Sequence, residues 1–153
     1  MNEVISKEKS LIYYLTYLYA SKEGIVQRIN QLLYQIVVTE KKEIQKELEQ
    51  MLKSEINHLK IIGKILKQNG YYPVFATTIS NTKKYWNAYD LYYDQDNKSI
   101  LEIDIDQKKK AIFHYQLFHK QITNPTIKKT MEHFLEEEYI YLEKLYNLYQ
   151  NEK

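Results

Sequence analysis

The chain has 153 residues, 22 Lys+Arg against 20 Asp+Glu, a net charge of +2 and no cysteine. That length suits one domain with a real core, and the near-neutral balance gives no electrostatic footprint for nucleic acid or an anionic membrane surface. Lack of cysteine excludes disulfides, thiolate metal sites, iron–sulfur clusters and a thiol nucleophile; three Gly and two Pro are too few for a hairpin-rich fold or a Gly-loop nucleotide site.

An apolar fraction of 44% excludes disorder and leaves a mostly helical domain. Tyr occurs 16 times and Arg28 is the only arginine, a bias that reads as genome composition. The run Leu11–Ala20 (LIYYLTYLYA) is shorter than the ~18 residues of a membrane helix. Glu3 and Glu8 before it, and Leu18 ahead of Ala20, do not suit a signal peptide. It reads as the start of a helix in a cytoplasmic protein.

The first predicted helix runs over about 6–38, with Ile12, Leu15, Tyr19, Ile25, Val26, Ile29, Leu32, Leu33 and Ile36 on its apolar stripe. Thr39 can cap the second, about 41–69, whose stripe is Ile44, Leu48, Met51, Leu52, Leu59, Ile62, Ile65 and Leu66; Asn69-Gly70 stops it. The segment 70–98 breaks the pattern with Pro73, a Thr/Ser/Asn cluster and eight aromatic residues, and its length requires that it pack against something. The third helix spans about 99–122. Asn124-Pro125 then makes a sharp junction, with Asn124 as N-cap and Pro125 at the first helical position of a fourth helix over about 125–151. Short turns make two antiparallel hairpins, and the link 70–98 is long enough to cross the bundle. The expectation is a single all-α four-helix domain over 1–153 with that crossover between helices 2 and 3; up-down-up-down is the alternative.

The stripes have charged holes. Glu55 falls between Met51/Leu52 and Leu59/Ile62, Lys108 between Ile105 and Ile112, and Glu138 between Leu135 and Leu142. Each sits near mid-helix, so antiparallel packing brings all three to one layer. His58 lies one turn after Glu55, and Tyr141 one turn after Glu138. Burying an ion without a partner costs several kcal/mol, so three such residues at one level point to a shared site. Ile25 is the matching position on helix 1.

Glu55-x-x-His58 and Glu138-x-x-Tyr141 resemble the paired Glu-x-x-His motifs of ferritin-like di-iron and di-manganese carboxylate proteins. Tyr19-Ala-Ser-Lys-Glu-Gly24 with Tyr34-Gln35, Ser54-Glu55-Ile-Asn-His58, Asp104-Ile-Asp-x-Lys108-x-x-Ala111, and Asn124-Pro125 followed by Leu135-Glu-Glu-Glu138 are similar, in order, to the four helices of the rubrerythrin-type branch. The resemblance implies a ferritin-like antiparallel bundle and six metal ligands. Of those, only Glu55, His58 and Glu138 match. The helix 1 and helix 3 carboxylates fall on Ile25 and Lys108, and the helix 4 histidine on Tyr141. Glu23 points off the face; Asp104, one turn before Lys108, stays open as a substitute, as does Glu137 facing inward in place of Glu138.

Two readings follow. In the first, Lys108 replaces the metals and bridges Glu55 and Glu138 in a buried cluster with His58 and Tyr141. There is then no cofactor, and the protein is a structural or partner-binding homodimer. His58 would carry the proton that balances two carboxylates against one lysine. In the second, Glu55, His58 and Glu138 keep a residual iron or manganese site of a metal-dependent oxidoreductase or peroxidase. Similarity to small Tyr-rich proteins of low-GC spore formers adds a spore-associated role. His114, His119 and His133 read as solvated, as do Lys109, Lys110, Glu136 and Glu137. The aromatic crossover around Trp86 covers the subunit's own helices, stacks a ligand or covers a dimer surface.

Overall fold

The structure, a computed structural model, describes the backbone of residues 2–152 and the side chains of residues 10–152. Five α-helices form the bundle: α1 (Asn2–Ala20), α2 (Ile25–Val38), α3 (Lys42–Gln68), α4 (Asn97–Gln121) and α5 (Pro125–Gln150). A small antiparallel hairpin, β1 (Ala76–Ile79) and β2 (Thr82–Tyr85), and a 3-10 turn (Ala88–Asp90) lie in the crossover.

The predicted first helix is in fact two. Ser21–Gly24 interrupts it, with the Gly24 N–H donating to Ser21 O at 2.9 Å. A Cβ on Gly24 would lie 2.9 Å from Leu18 O and 3.0 Å from Tyr17 O, so glycine is what lets the chain fold back on its own preceding turn. The periodic stripe ran through this break because the residues on both sides are buried in the same core.

Helix directions follow from the contacts at their ends. Thr39, at the close of α2, donates its hydroxyl to the side chain of Asn97, which begins α4. Lys41, before α3, pairs with Glu152, after α5, and Glu47 near the start of α3 pairs with Lys144 near the end of α5. Hence α3 and α5 are antiparallel, α3 and α4 run the same way, and the crossover travels the length of the bundle. This is the two-hairpin arrangement, and it excludes up-down-up-down.

The crossover holds strands the periodicity did not announce. Ile79 and Thr82 pair across a tight Ser80-Asn81 turn, with Ser80 at φ 55°. The outer edge of β1 rests on α1 through Thr78 N–H donating to Thr16 Oγ1 at 3.1 Å. Further along, Gln31 of α2 grips the backbone of Tyr92 at both N–H and C=O.

The apolar core is divided in two. One half gathers Leu15, Leu18, Ile25, Ile62, Leu66, Tyr115, Phe118, Met131 and Phe134. The other gathers Leu32, Ile44, Leu48, Met51, Leu101, Ile105, Leu145 and Leu148. On α2, α3, α4 and α5 alike, the stretch between the halves carries the buried charges: Arg28, Glu55, Lys108 and Glu138.

Candidate functional site

Each of the four charged residues sits mid-element on an inward-facing stripe, so the backbone that buries the neighbouring leucines and isoleucines also buries it. All four are 4% exposed or less. Lys108 Nζ lies 2.8 Å from Glu55 Oε1 and 2.8 Å from Glu138 Oε2. Arg28 Nε donates to the same Glu55 Oε1 at 3.0 Å, and its Nη1 donates to Glu23 O at 2.9 Å. Glu55 therefore takes two cations on one oxygen. Arg28 also ties the charged layer to the broken end of α1.

Arg28 has no role in the sequence reading, which placed Ile25 opposite the site. Ile25 is fully buried apolar core. The signal was present: the only arginine stands three residues after Ile25 and four before Leu32. Ile29, filling the stripe on paper, concealed it.

Four further placements differ from expectation. Tyr141 is half-buried; its hydroxyl donates to Gln50 O at 3.3 Å, outside the charged layer, and only its ring lies near Lys108, with Nζ 5.5 Å from the centroid. Glu137 is not simply solvated, for it accepts from Ser54 Oγ at 2.7 Å and bonds His58 Nε2 at 3.0 Å. His114, expected on a wet face, is largely covered by Tyr17 and Phe118 and bonded to Glu23 at 2.6 Å. His119 has Glu132 as partner at 2.9 Å. Lys109, Lys110 and Glu136 are exposed as expected.

The second cation changes the proton arithmetic. With Arg28 and Lys108 opposite Glu55 and Glu138, charge closes without His58. Burial pushes the His58 imidazole down, against the pull of Glu55 and Glu137, so the proton expected on His58 is not needed to balance the layer. A carboxylate only accepts, so Nε2 carries the proton toward Glu137, and Nδ1 presents its lone pair 3.6 Å from Glu138 Oε1. Burial acts upward on Glu55 too, but Arg28 and Lys108 outweigh it and hold its carboxyl far below the usual range. Glu138 is the reverse: burial and the nearby Glu55 charge push it up to about 7. Lys108 is held above its ordinary value because Glu138 and Glu55 outweigh desolvation. Asp104, also buried, is pushed up to about 8 by desolvation despite Lys108 nearby. Among the described residues it makes no ion pair with Lys108, and it lies outside the group of Glu55, His58 and Glu138 whose ligand atoms converge.

Glu55, His58 and Glu138 each offer a ligand atom, all within 4.8 Å of one another. Glu55 Oε2, His58 Nδ1 and Glu138 Oε1 have no hydrogen-bond partner among the described residues. A di-metal centre nevertheless does not fit this donor set. Lys108 ties the two glutamates together from between them, and an ammonium ~4 Å from a dication costs several kcal/mol at intermediate dielectric. Arg28 adds a second buried positive charge, and the two glutamates are already balanced.

No protein-family model matches the sequence, and no curated protein matches it. Solved structures do. KatB, a manganese catalase from Anabaena PCC7120, superposes over 90% of this chain and 70% of its own, with TM-score 0.82 and 18% identity. The bacterioferritin of Desulfovibrio desulfuricans, solved with its diiron site in different catalytic states, superposes over 95% of this chain and 81% of its own, with TM-score 0.79 and 18% identity. The likeness is one of fold: the chain has the ferritin-like helical-bundle fold.

Proposed function

We propose that this is a metal-free, rubrerythrin-like member of the ferritin-like fold. Two buried cations take the place of a di-metal centre, and the protein is a non-catalytic structural or partner-binding single domain that works as a homodimer in the cytoplasm, with spore association as one setting. The observation that carries this reading is Lys108 Nζ at 2.8 Å from both Glu55 and Glu138, reinforced by Arg28 on Glu55. The lysine ammonium makes the bridge between carboxylates that a metal ion would otherwise make. It needs no assembly factor, no redox partner and no free coordination position. A charged layer of this kind aligns four helices in one register, because a slip of one turn leaves every ion buried without its partner.

A second reading is favoured by the three unpartnered donor atoms on Glu55, His58 and Glu138. In it the protein is a metal-dependent oxidoreductase of reduced ligand set, holding one iron or manganese ion. Adding a dication to a layer already neutral weighs against it.

Elemental analysis of the purified protein after loading with iron or manganese separates the two. Below a tenth of an ion per chain, roughly, is the expected result. Close to one ion per chain supports the second reading, and about two overturns both.

A further inference from the structure

A groove of about 300 Å³ opens between α1 and the crossover, away from the charged layer. Tyr13 and Tyr17, one turn apart on α1 with ring centroids 6.0 Å apart, form one side. Trp86 and Tyr89 line it from the crossover, and Lys22 and Lys84 stand among the lining residues. The volume is at the small end of sites that take small organic ligands.

These residues are held in place by bonds of their own. Trp86 donates its backbone N–H to Phe75 O at 2.8 Å and its indole N–H to Gln27 Oε1 at 2.6 Å. Its one polar side-chain atom is thereby satisfied, and the ring is left to act through its face. Asn87 caps the following 3-10 turn by accepting from Tyr89 N–H at 2.8 Å. Tyr89 is 91% exposed, so its ring is available to stack on a ligand instead of being spent on the subunit's core. Trp86, fixed in this way, presents a ring face that recognises planar rings by stacking.

Charge narrows the class. Both lysines are exposed, and neither is engaged in an ion pair among the described residues. Asp90 is the one acidic residue of the lining, so the groove carries one excess positive charge. A neutral aromatic ligand would leave that excess unanswered.

We propose that this groove binds a planar aromatic ring system carrying a single anionic group, with the ring against Trp86 and the tyrosines and the anion toward Lys22 and Lys84. The proposal is independent of whether the bundle holds metal. Trp86 is the only tryptophan, so its indole N–H gives a single nuclear magnetic resonance signal in the ¹⁵N-labelled protein. That signal is followed while 2-naphthoate, or the uncharged 2-naphthamide, is added. The expected result is a saturable shift with naphthoate, with the amide about fivefold weaker or worse, and a loss of about fivefold in naphthoate affinity for Lys22→Ala and for Lys84→Ala, as befits solvent-exposed charge pairs. Asp90→Asn is expected to tighten binding. Circular dichroism checks that each variant keeps its helices. The proposal is overturned by no saturable shift at millimolar naphthoate, by equal affinity for the amide, or by folded lysine variants that bind as the parent does.

Discussion

Lys108 is the residue on which the central layer depends. Replacing it with methionine keeps most of the side-chain volume but removes, among the described residues, the only lysine or arginine bonded to Glu138. Breaking a buried ion pair from one side costs about 3–5 kcal/mol, so Lys108→Met should lower the denaturant midpoint at pH 7 by a corresponding amount. An unchanged midpoint would mean that the charge does not hold the helices together. Asp104 tests the neighbouring region through pH. Its folded pKa is raised to about 8 by burial, against about 3.9 unfolded. The stability it contributes is therefore fully present below about pH 4 and is lost as pH rises through 8. Asp104→Asn removes that loss. The melting temperature of the variant relative to the parent should climb between pH 5 and pH 9, and a pH-independent gap would show that Asp104 does not titrate in this range. What the sequence disclosed at this scale depended on contrast. A charge inside an apolar stripe stands out, so Glu55, Lys108 and Glu138 were legible. Arg28 was not given its place because Ile29 beside it completed the stripe, and Asp104 was read only as a possible substitute ligand, since sequence spacing does not show which carboxylates lack a partner.

The elements were legible to the extent that a local rule governed them. Asn124 caps α5 by accepting from the N–H groups of Thr126 and Ile127 at 2.9 and 3.1 Å, with Pro125 following it, as the residue pattern required. The break between α1 and α2 was missed because its cause is a close backbone approach, which hydrophobic periodicity does not register. Gly24→Ala puts a methyl group 2.9 Å from Leu18 O and 3.0 Å from Ser21 N. Both neighbours are backbone and cannot swing aside, so a loss of about 1–3 kcal/mol is expected on overpacking grounds, read as a lower thermal midpoint. A neutral or stabilising result would show that the α1–α2 corner relaxes freely. The hairpin Ala76–Tyr85 was hidden for a different reason. Its strands are four residues long, β2 is exposed throughout, and its stability comes from resting on α1, a tertiary contact with no sequence period.

At the scale of the whole molecule, two apolar halves are joined through a layer of charge. Lys108 bonds both glutamates and Arg28 bonds Glu55 from α2; on the proposed reading the two cations stand where a metal centre would. Removing both cations and supplying carboxylates in their place should therefore turn the layer into a site that attracts divalent ions. The direct measurement is metal content, by elemental analysis after iron or manganese loading, of the parent beside an Arg28→Glu/Lys108→Glu variant shown to be folded. Essentially none is expected in the parent and stoichiometric uptake in the variant; one or two ions per chain in the parent, or a folded variant that takes up none, would contradict a layer neutralised by its own cations.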